Sequence, residues 1–399
     1  MRKPMSTASV APARSTRLQR RPNGMRVLIA AGGSGGHIFP ALALAQALSD
    51  GAKDVSVKFV GSDKMLDRRI FEKDSLDYYL LSANRLPYRL DRTMPIFLVK
   101  LLLDVIKSLF VIASYRPDVV VGFGGYVSAP VIFAAYLLRI PRIVHEQNVS
   151  PGRANRLLFR MADRIAVSFP ETLKFLGPEA KKAVFTGNPI RAAIFSSSRT
   201  AADKENIAEK FGLKNGKFTI LVIGGSQGAH FLNETFIAAL SKLGERKTAR
   251  LQVIHLTGLK DYEWAARQYG ALGVEHRVYS FLDRIEDAYA ASDLVVTRSG
   301  ASAIFEIAYF GRPMILIPYP FAMSHQVENA DIFSEKGAAI EIREDGLSAE
   351  TFSESLSSLL DDRDKLARMS QSALALSVPS ASFNLRDEVL NLAKKGMGC

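Results

Sequence analysis

Short apolar runs alternate along the chain with turns of small residues and longer stretches of helical spacing. Arg26–Ala31 (RVLIAA) reads as a strand buried on both faces, the habit of a parallel sheet. Gly32-Gly33-Ser34-Gly35-Gly36-His37 follows as a tight turn, and Pro40 suits the start of a helix through Leu48. Further strands are predicted at Val55–Val60, Tyr78–Leu81, Val119–Gly122, Arg142–His145 and Arg164–Ser168. The pattern restarts at Phe218–Ile223, followed by Gly224-Gly225-Ser226-Gln227-Gly228-Ala229 and a helix to about Leu240. Strands then recur at Leu251–Leu256, Val274–Tyr279, Leu294–Thr297 and Met314–Ile317. Strand, Gly-Gly-Ser and helix thus occur twice, 192 residues apart, which predicts an α/β fold of two similar doubly wound lobes.

A polar, Ser-rich stretch, Asn188–Asn206, separates the two patterns. The expected organisation is a basic tail over 1–24, lobes over 25–188 and 207–399, a linker over 189–206, and terminal helices over 348–395. The tail holds six Lys/Arg, no acid and none of the apolar run of a signal peptide, and reads as disordered. Val119–Leu138 has the length of a membrane span without a charge. Gly122, Gly124, Gly125 and Pro130 interrupt it, so strand, glycine turn and helix is the better reading. In Ile96–Ile112 the polar Lys100, Asp104, Lys107 and Ser108 form one narrow helical stripe, and the rest is apolar almost all round. Such a helix is either buried on most sides or lies at a lipid surface, with Arg85, Arg89 and Arg92 on the headgroups.

Charge sharpens the second possibility. The net charge is +12, with 28 Lys/Arg against 14 Asp/Glu in residues 1–189 and 24 against 26 in the remainder. The first lobe therefore faces something anionic, and nucleic acid or an anionic membrane both fit composition alone. The one cysteine, Cys399, excludes a disulfide framework, and the six histidines lack zinc-site spacing.

The richest stretch is Arg298–Ala330. After the strand, Gly300, Ala301, Ser302 and Ala303 open a helix with little side-chain bulk, offering free N–H groups to an anion. Glu306 follows, able to accept from sugar hydroxyls, and His325 to Asn329 supply neutral hydrogen-bonding groups. Together they suggest a nucleotide-sugar site. The glycine loops do not fit a dinucleotide fingerprint: Ile38 occupies the sixth position of the first, and Gln227 the third of the second. The single Asp-x-Asp, Asp362-Arg363-Asp364, lies in a charged helical stretch, so no metal or other cofactor is expected.

Six motifs occur in order: Gly-Gly-Ser-Gly-Gly-His-Ile-Phe-Pro-Ala (32–41), Gly-Phe-Gly-Gly-Tyr (122–126), His-Glu-Gln-Asn (145–148), Gly-Asn-Pro-Ile-Arg (187–191), Gly-Gly-Ser-Gln-Gly-Ala (224–229) and Arg-Ser-Gly-Ala (298–301) with Glu306. From about Met25 onward the chain closely resembles the MurG family of peptidoglycan N-acetylglucosaminyltransferases. The resemblance implies a GT-B fold of two Rossmann-like lobes facing a cleft. It implies inverting, metal-independent transfer from UDP-N-acetylglucosamine to the C4 hydroxyl of the N-acetylmuramoyl unit in undecaprenyl-diphospho-N-acetylmuramoyl-pentapeptide (lipid I), giving lipid II. It further implies a peripheral protein on the cytoplasmic face of the bacterial inner membrane, with an anionic lipid surface rather than nucleic acid as partner.

Carried over by position, Glu306 is expected on the ribose, and Ser226, Arg191 and Ala301, Ser302 and Ala303 on the diphosphate. Gln326 and His325 are expected on sugar hydroxyls, Leu282 on uracil, and Ser34, Gly35, Gly36 and Asn148 near the transferred sugar. Gly32, Gly33, Gly122, Gly124, Gly125 and Tyr126 fall on the acceptor side. The chain departs from the family pattern at Met323-Ser324-His325, where more polar residues are usual. The reaction needs a base: His37 is the candidate and Glu146 the second, with a loop-bonded structural acid as the other reading of Glu146. Another UDP-sugar transferase, an epimerase, or a non-catalytic UDP-sugar-binding membrane adaptor are the alternatives.

Overall fold

The computed structural model describes residues 24–51, 54–84, 94–196, 201–224, 229–320 and 325–397. Two parallel sheets organise the chain. The first contains β1 (Met25–Ala30), β2 (Val55–Ser62), β3 (Tyr78–Leu81), β4 (Val119–Gly122), β5 (Arg142–Glu146), β6 (Arg164–Val167) and β7 (Ala183–Phe185), in the order β3-β2-β1-β4-β5-β6-β7. The second contains β8 (Phe218–Ile223), β9 (Leu251–Leu256), β10 (Glu275–Tyr279), β11 (Leu294–Thr297), β12 (Met314–Leu316) and β13 (Ala339–Glu341), in the order β10-β9-β8-β11-β12-β13. The central strands are buried on both faces, as their continuous apolar runs require. Sequence pattern missed β7 and β13, three-residue strands at sheet edges, too short to carry a period.

Strand order reverses at β1/β4 and again at β8/β11. Ligands of open parallel sheets bind beyond the carboxyl ends of strands at such a reversal. The Gly32–His37 turn follows β1, the Phe123–Gly125 turn follows β4, and Arg298–Gly300 follows β11. The two lobes pack directly on each other: Phe169 contacts Phe305 at 4.9 Å between ring centroids, and Val149, Ile190 and Ile194 join the apolar cluster of the second lobe. The last helix, Ala381–Met397, returns to the first lobe, where Leu385, Val389 and Ala393 enter the core beside Ile38 and Leu48.

Helices α1 (Gly35–Gly51), α2 (Met65–Lys73), α3 (Met94–Tyr115), α4 (Gly125–Leu137) and α5 (Arg153–Met161) cover the first sheet. Val119–Leu138 is strand, turn and helix, as its glycines indicated. Among the described residues no helix is long and apolar enough to cross a membrane. The polarity of α3 is inverted relative to an ordinary surface helix. Asp104 and Ser108 are buried, and Asp104 accepts from Ser82 N–H, the Ser82 hydroxyl and Ala83 N–H at 2.8–3.0 Å. Ile96, Leu98, Val99, Leu102, Leu103, Ile106 and Phe110 face solvent. The alternative of a helix buried on most sides therefore does not hold. Arg85, Arg89, Arg92 and residues 1–23 of the basic tail lie outside the described residues.

Candidate active site

The first glycine turn is pinned from beneath. Buried Asp67, on α2, accepts from Gly33 N–H at 2.9 and 3.1 Å and from the Ser62 amide and hydroxyl at 2.8 and 2.6 Å. A Cβ on Gly32 would stand 2.4 Å from an Asp67 oxygen, so only glycine fits there. Ser34, Gly35 and Gly36 then lead into α1 and carry His37 into the cleft. His37 Nδ1 lies 3.3 Å from Gly32 O and 3.1 Å from the Ser34 hydroxyl. With Nδ1–H donated to the carbonyl, the lone pair sits on Nε2. Burial lowers the His37 pKa, so the neutral ring is the resting form.

The second glycine turn closes against the same imidazole. Gly125 has φ +72°, and a Cβ there would lie 3.1 Å from His37 Nδ1. Gly124 has φ +85°, and a Cβ there would lie 3.0 Å from the Asn155 amide. Gly122 closes β4 against Ile132, and Tyr126 packs on the adjoining core.

Glu146 is buried and accepts from Asn148 N–H (2.9 Å), Asn148 Nδ2 (3.2 Å), Gly152 N–H (3.2 Å) and Asn155 Nδ2 (2.7 Å). Burial raises its pKa against the opposing pull of these donors. Both oxygens are held by the loop and by Asn155 on α5, the geometry of the loop-bonded acid that was the other reading of Glu146. The loop in turn meets the other lobe. Buried Asn329 accepts from Val149 N–H at 3.0 Å and donates to Asn148 Oδ1 (3.0 Å) and Ser299 O (3.1 Å).

On the second lobe, the Ala301–Tyr309 helix starts after Gly300, and its Ser302 hydroxyl donates to Gly36 O of the first lobe at 3.4 Å. Ala301 is buried, with Ser302 and Ala303 partly so. Arg191 and Glu306, assigned from sequence to the diphosphate and the ribose, are paired with each other: Nε and Nη2 of Arg191 reach the two Glu306 oxygens at 3.0 and 3.2 Å. Tyr289 also donates to Glu306, and Phe39 lies under the guanidinium at 4.9 Å. Gln326 Oε1 accepts from Tyr319 N–H at 2.9 Å, leaving its NH₂ as the group able to face a sugar oxygen. His325 Nδ1 is buried without a hydrogen-bond partner among the described residues. Leu282 is partly buried on the second-lobe core, and Ser226 lies outside the described residues.

Residues 27–167 match the glycosyltransferase family 28 N-terminal domain and residues 219–385 its C-terminal domain. A protein of Halothermothrix orenii, named UDP-N-acetylglucosamine–N-acetylmuramyl-(pentapeptide) pyrophosphoryl-undecaprenol N-acetylglucosamine transferase, is 37% identical over 378 residues, covering 93% of this chain and 100% of that protein. A protein of the same name from Thermodesulfovibrio yellowstonii is 36% identical with the same coverage. The chain belongs to the MurG family. A crystal structure of Acinetobacter baumannii MurG superposes with a TM-score of 0.72 at 28% identity, covering 92% of this chain and 99% of that one. A UDP-GlcNAc 2-epimerase from Neisseria meningitidis, bound to UDP-GlcNAc, shares the fold at TM-score 0.67 and 13% identity, covering 92% of this chain and 100% of that one. The two-lobed GT-B architecture read from the motifs is that of the MurG family.

Asp67, Asn155 and Tyr289 were not singled out from sequence, and Phe39 and Asn329 entered only as members of longer motifs. Asn329 at least lay in the polar run after His325. The others act on backbone or charge brought near only by folding.

Proposed function

We propose that the chain transfers N-acetylglucosamine from UDP-N-acetylglucosamine to the N-acetylmuramoyl-(pentapeptide) unit of a pyrophosphoryl-undecaprenol, converting lipid I to lipid II in peptidoglycan synthesis. The observation that carries this reading is the meeting of His37 and the Gly32–Gly36 turn with the Ala301 helix start, Ser302 touching Gly36. Neutral His37 removes the proton of the acceptor C4 hydroxyl, which attacks the anomeric carbon in line. The C1–O bond to the diphosphate breaks, UDP leaves, and the configuration inverts. Arg191 and the N–H groups at the Ala301 helix start take up the charge on the leaving diphosphate. The Asp-x-Asp supports no metal role: Asp362 caps the Arg363–Leu376 helix, accepting from Lys365 N–H at 2.7 Å.

The apolar face of α3 supports a membrane-bound enzyme. Phe133, Tyr136 and Leu137 on α4, which packs along α3, and Leu138 just beyond it are exposed as well. These side chains enter the lipid boundary, and the basic first lobe faces anionic headgroups on the cytoplasmic side.

Purified protein incubated with UDP-N-acetylglucosamine and lipid I should release UDP and form lipid II with a β-linkage, unaffected by EDTA. UDP release without lipid II would point to a different acceptor.

A further inference from the structure

The cleft holds a cation distinct from the donor groups and the base. Lys64 precedes α2 with an extended backbone and an exposed side chain. Its Nζ lies over the first glycine turn, 3.7 Å from where a Cβ on Gly33 would stand. Among the described residues no carboxylate lies within ion-pair distance of it. The nearby Asp67 carboxylate is occupied by Gly33 N–H and by Ser62. The Arg68 guanidinium, one turn on, is turned back onto Asp63 O. The turn that the ammonium overlies leads directly into His37, four residues after Gly33.

From this juxtaposition we infer that Lys64 binds the diphosphate of the lipid-linked acceptor. The inference rests on the acceptor reading above and deepens it. A pyranose carries its C4 hydroxyl and its C1 substituent across one ring. With the hydroxyl at His37, the diphosphate on C1 falls within about one sugar's breadth of the base. Lys64, without an ion pair among the described residues, stands over the Gly32–Gly36 turn that leads into His37. The groups assigned to the donor diphosphate, Arg191 and the Ala301 helix start, lie instead at the linker and on the opposite lobe. A lysine suits the task because its point charge tolerates the rotation of a flexible phosphate chain.

The test is steady-state kinetics of the full chain with lipid I in detergent. Lys64→Ala should raise KM for the acceptor about ten-fold or more and leave KM for UDP-N-acetylglucosamine within about two-fold. Lys64→Arg should restore most of the loss. With a monophosphate-linked acceptor analogue, wild type and Lys64→Ala should differ by much less. An unchanged acceptor KM in an active Lys64→Ala enzyme would overturn the inference while leaving the transferase reading intact. A rise confined to the donor KM would overturn it too, assigning Lys64 to the nucleotide. Absence of transfer by the wild type would remove both readings.

Discussion

Arg191 and Glu306, 115 residues apart in the chain, meet in a two-point ion pair that joins the linker to the donor helix. Burial works against the charge on Arg191, and Glu306 more than compensates, raising its pKa. On the proposed donor site, UDP-sugar entry would redistribute a contact that already exists, the diphosphate competing with Glu306 for Arg191 and the ribose with Arg191 for Glu306.

Glu306→Gln keeps the shape and removes the charge. Donor binding should weaken by about 1.5–3 kcal/mol, read by calorimetric titration with UDP-N-acetylglucosamine. An unaltered Kd would detach Glu306 from the ribose.

His37→Ala should lower kcat by about 10²-fold or more. Because burial lowers the His37 pKa, the ring stays neutral below its ordinary 6.5. The acid limb of kcat/KM should accordingly fall below that value, the rate dropping as pH descends through it. A limb above 6.5 would assign the titration to another group.

Two further histidines are buried neutral and set the acid stability. His145 donates to Gly187 O and accepts from Gln147, and His255 bridges Asn233 and Tyr269, so neither has room for a second proton. Burial takes their pKa values down to about 4 and about 3. Between about 6.5 and 4 the unfolded chain binds protons that the folded chain refuses, and stability falls as pH falls. Urea midpoints measured stepwise over that window should decline by an amount equivalent to a few kcal/mol, since each tenfold loss of proton affinity on folding is worth about 1.4 kcal/mol. A flat profile would contradict the burial of these rings.

Inversion of α3 separates stability from the proposed lipid contact. Asp104→Ala strands the Ser82 and Ala83 donors and should cost about 1–3 kcal/mol in urea unfolding. Phe110→Ser, on the exposed face, should leave the unfolding midpoint unchanged and reduce sedimentation with anionic vesicles. Charge reversal at Arg85, Arg89 and Arg92 should do likewise. Equal vesicle binding by the Phe110 variant would place the lipid face elsewhere.

The central strands were legible because burial on both faces leaves an unbroken apolar run, as in Val119–Gly122. The glycine turns were legible because Gly32 and Gly125 tolerate no side chain. Two polar stripes look alike in sequence whichever way they face, so Ile96–Ile112 gave the faces of a helix and not its orientation. Only the backbone donors of Ser82 and Ala83 decide that Asp104 points inward. Asp67 escaped because the Gly33 amide it holds lies 34 residues away, and Asn329, though within the polar run after His325, has its partner Val149 180 residues away.

The Ala381–Met397 helix has a consequence for synthesis. Leu385, Val389 and Ala393 belong to the core of the lobe that is translated first. That lobe can condense around β1 and β4 as it leaves the ribosome, yet one face of its interior stays open until the Ala381–Met397 helix emerges. The first lobe is thus completed only by a helix that follows the whole second lobe in the chain, and a product lacking that helix carries an unfinished first-lobe core.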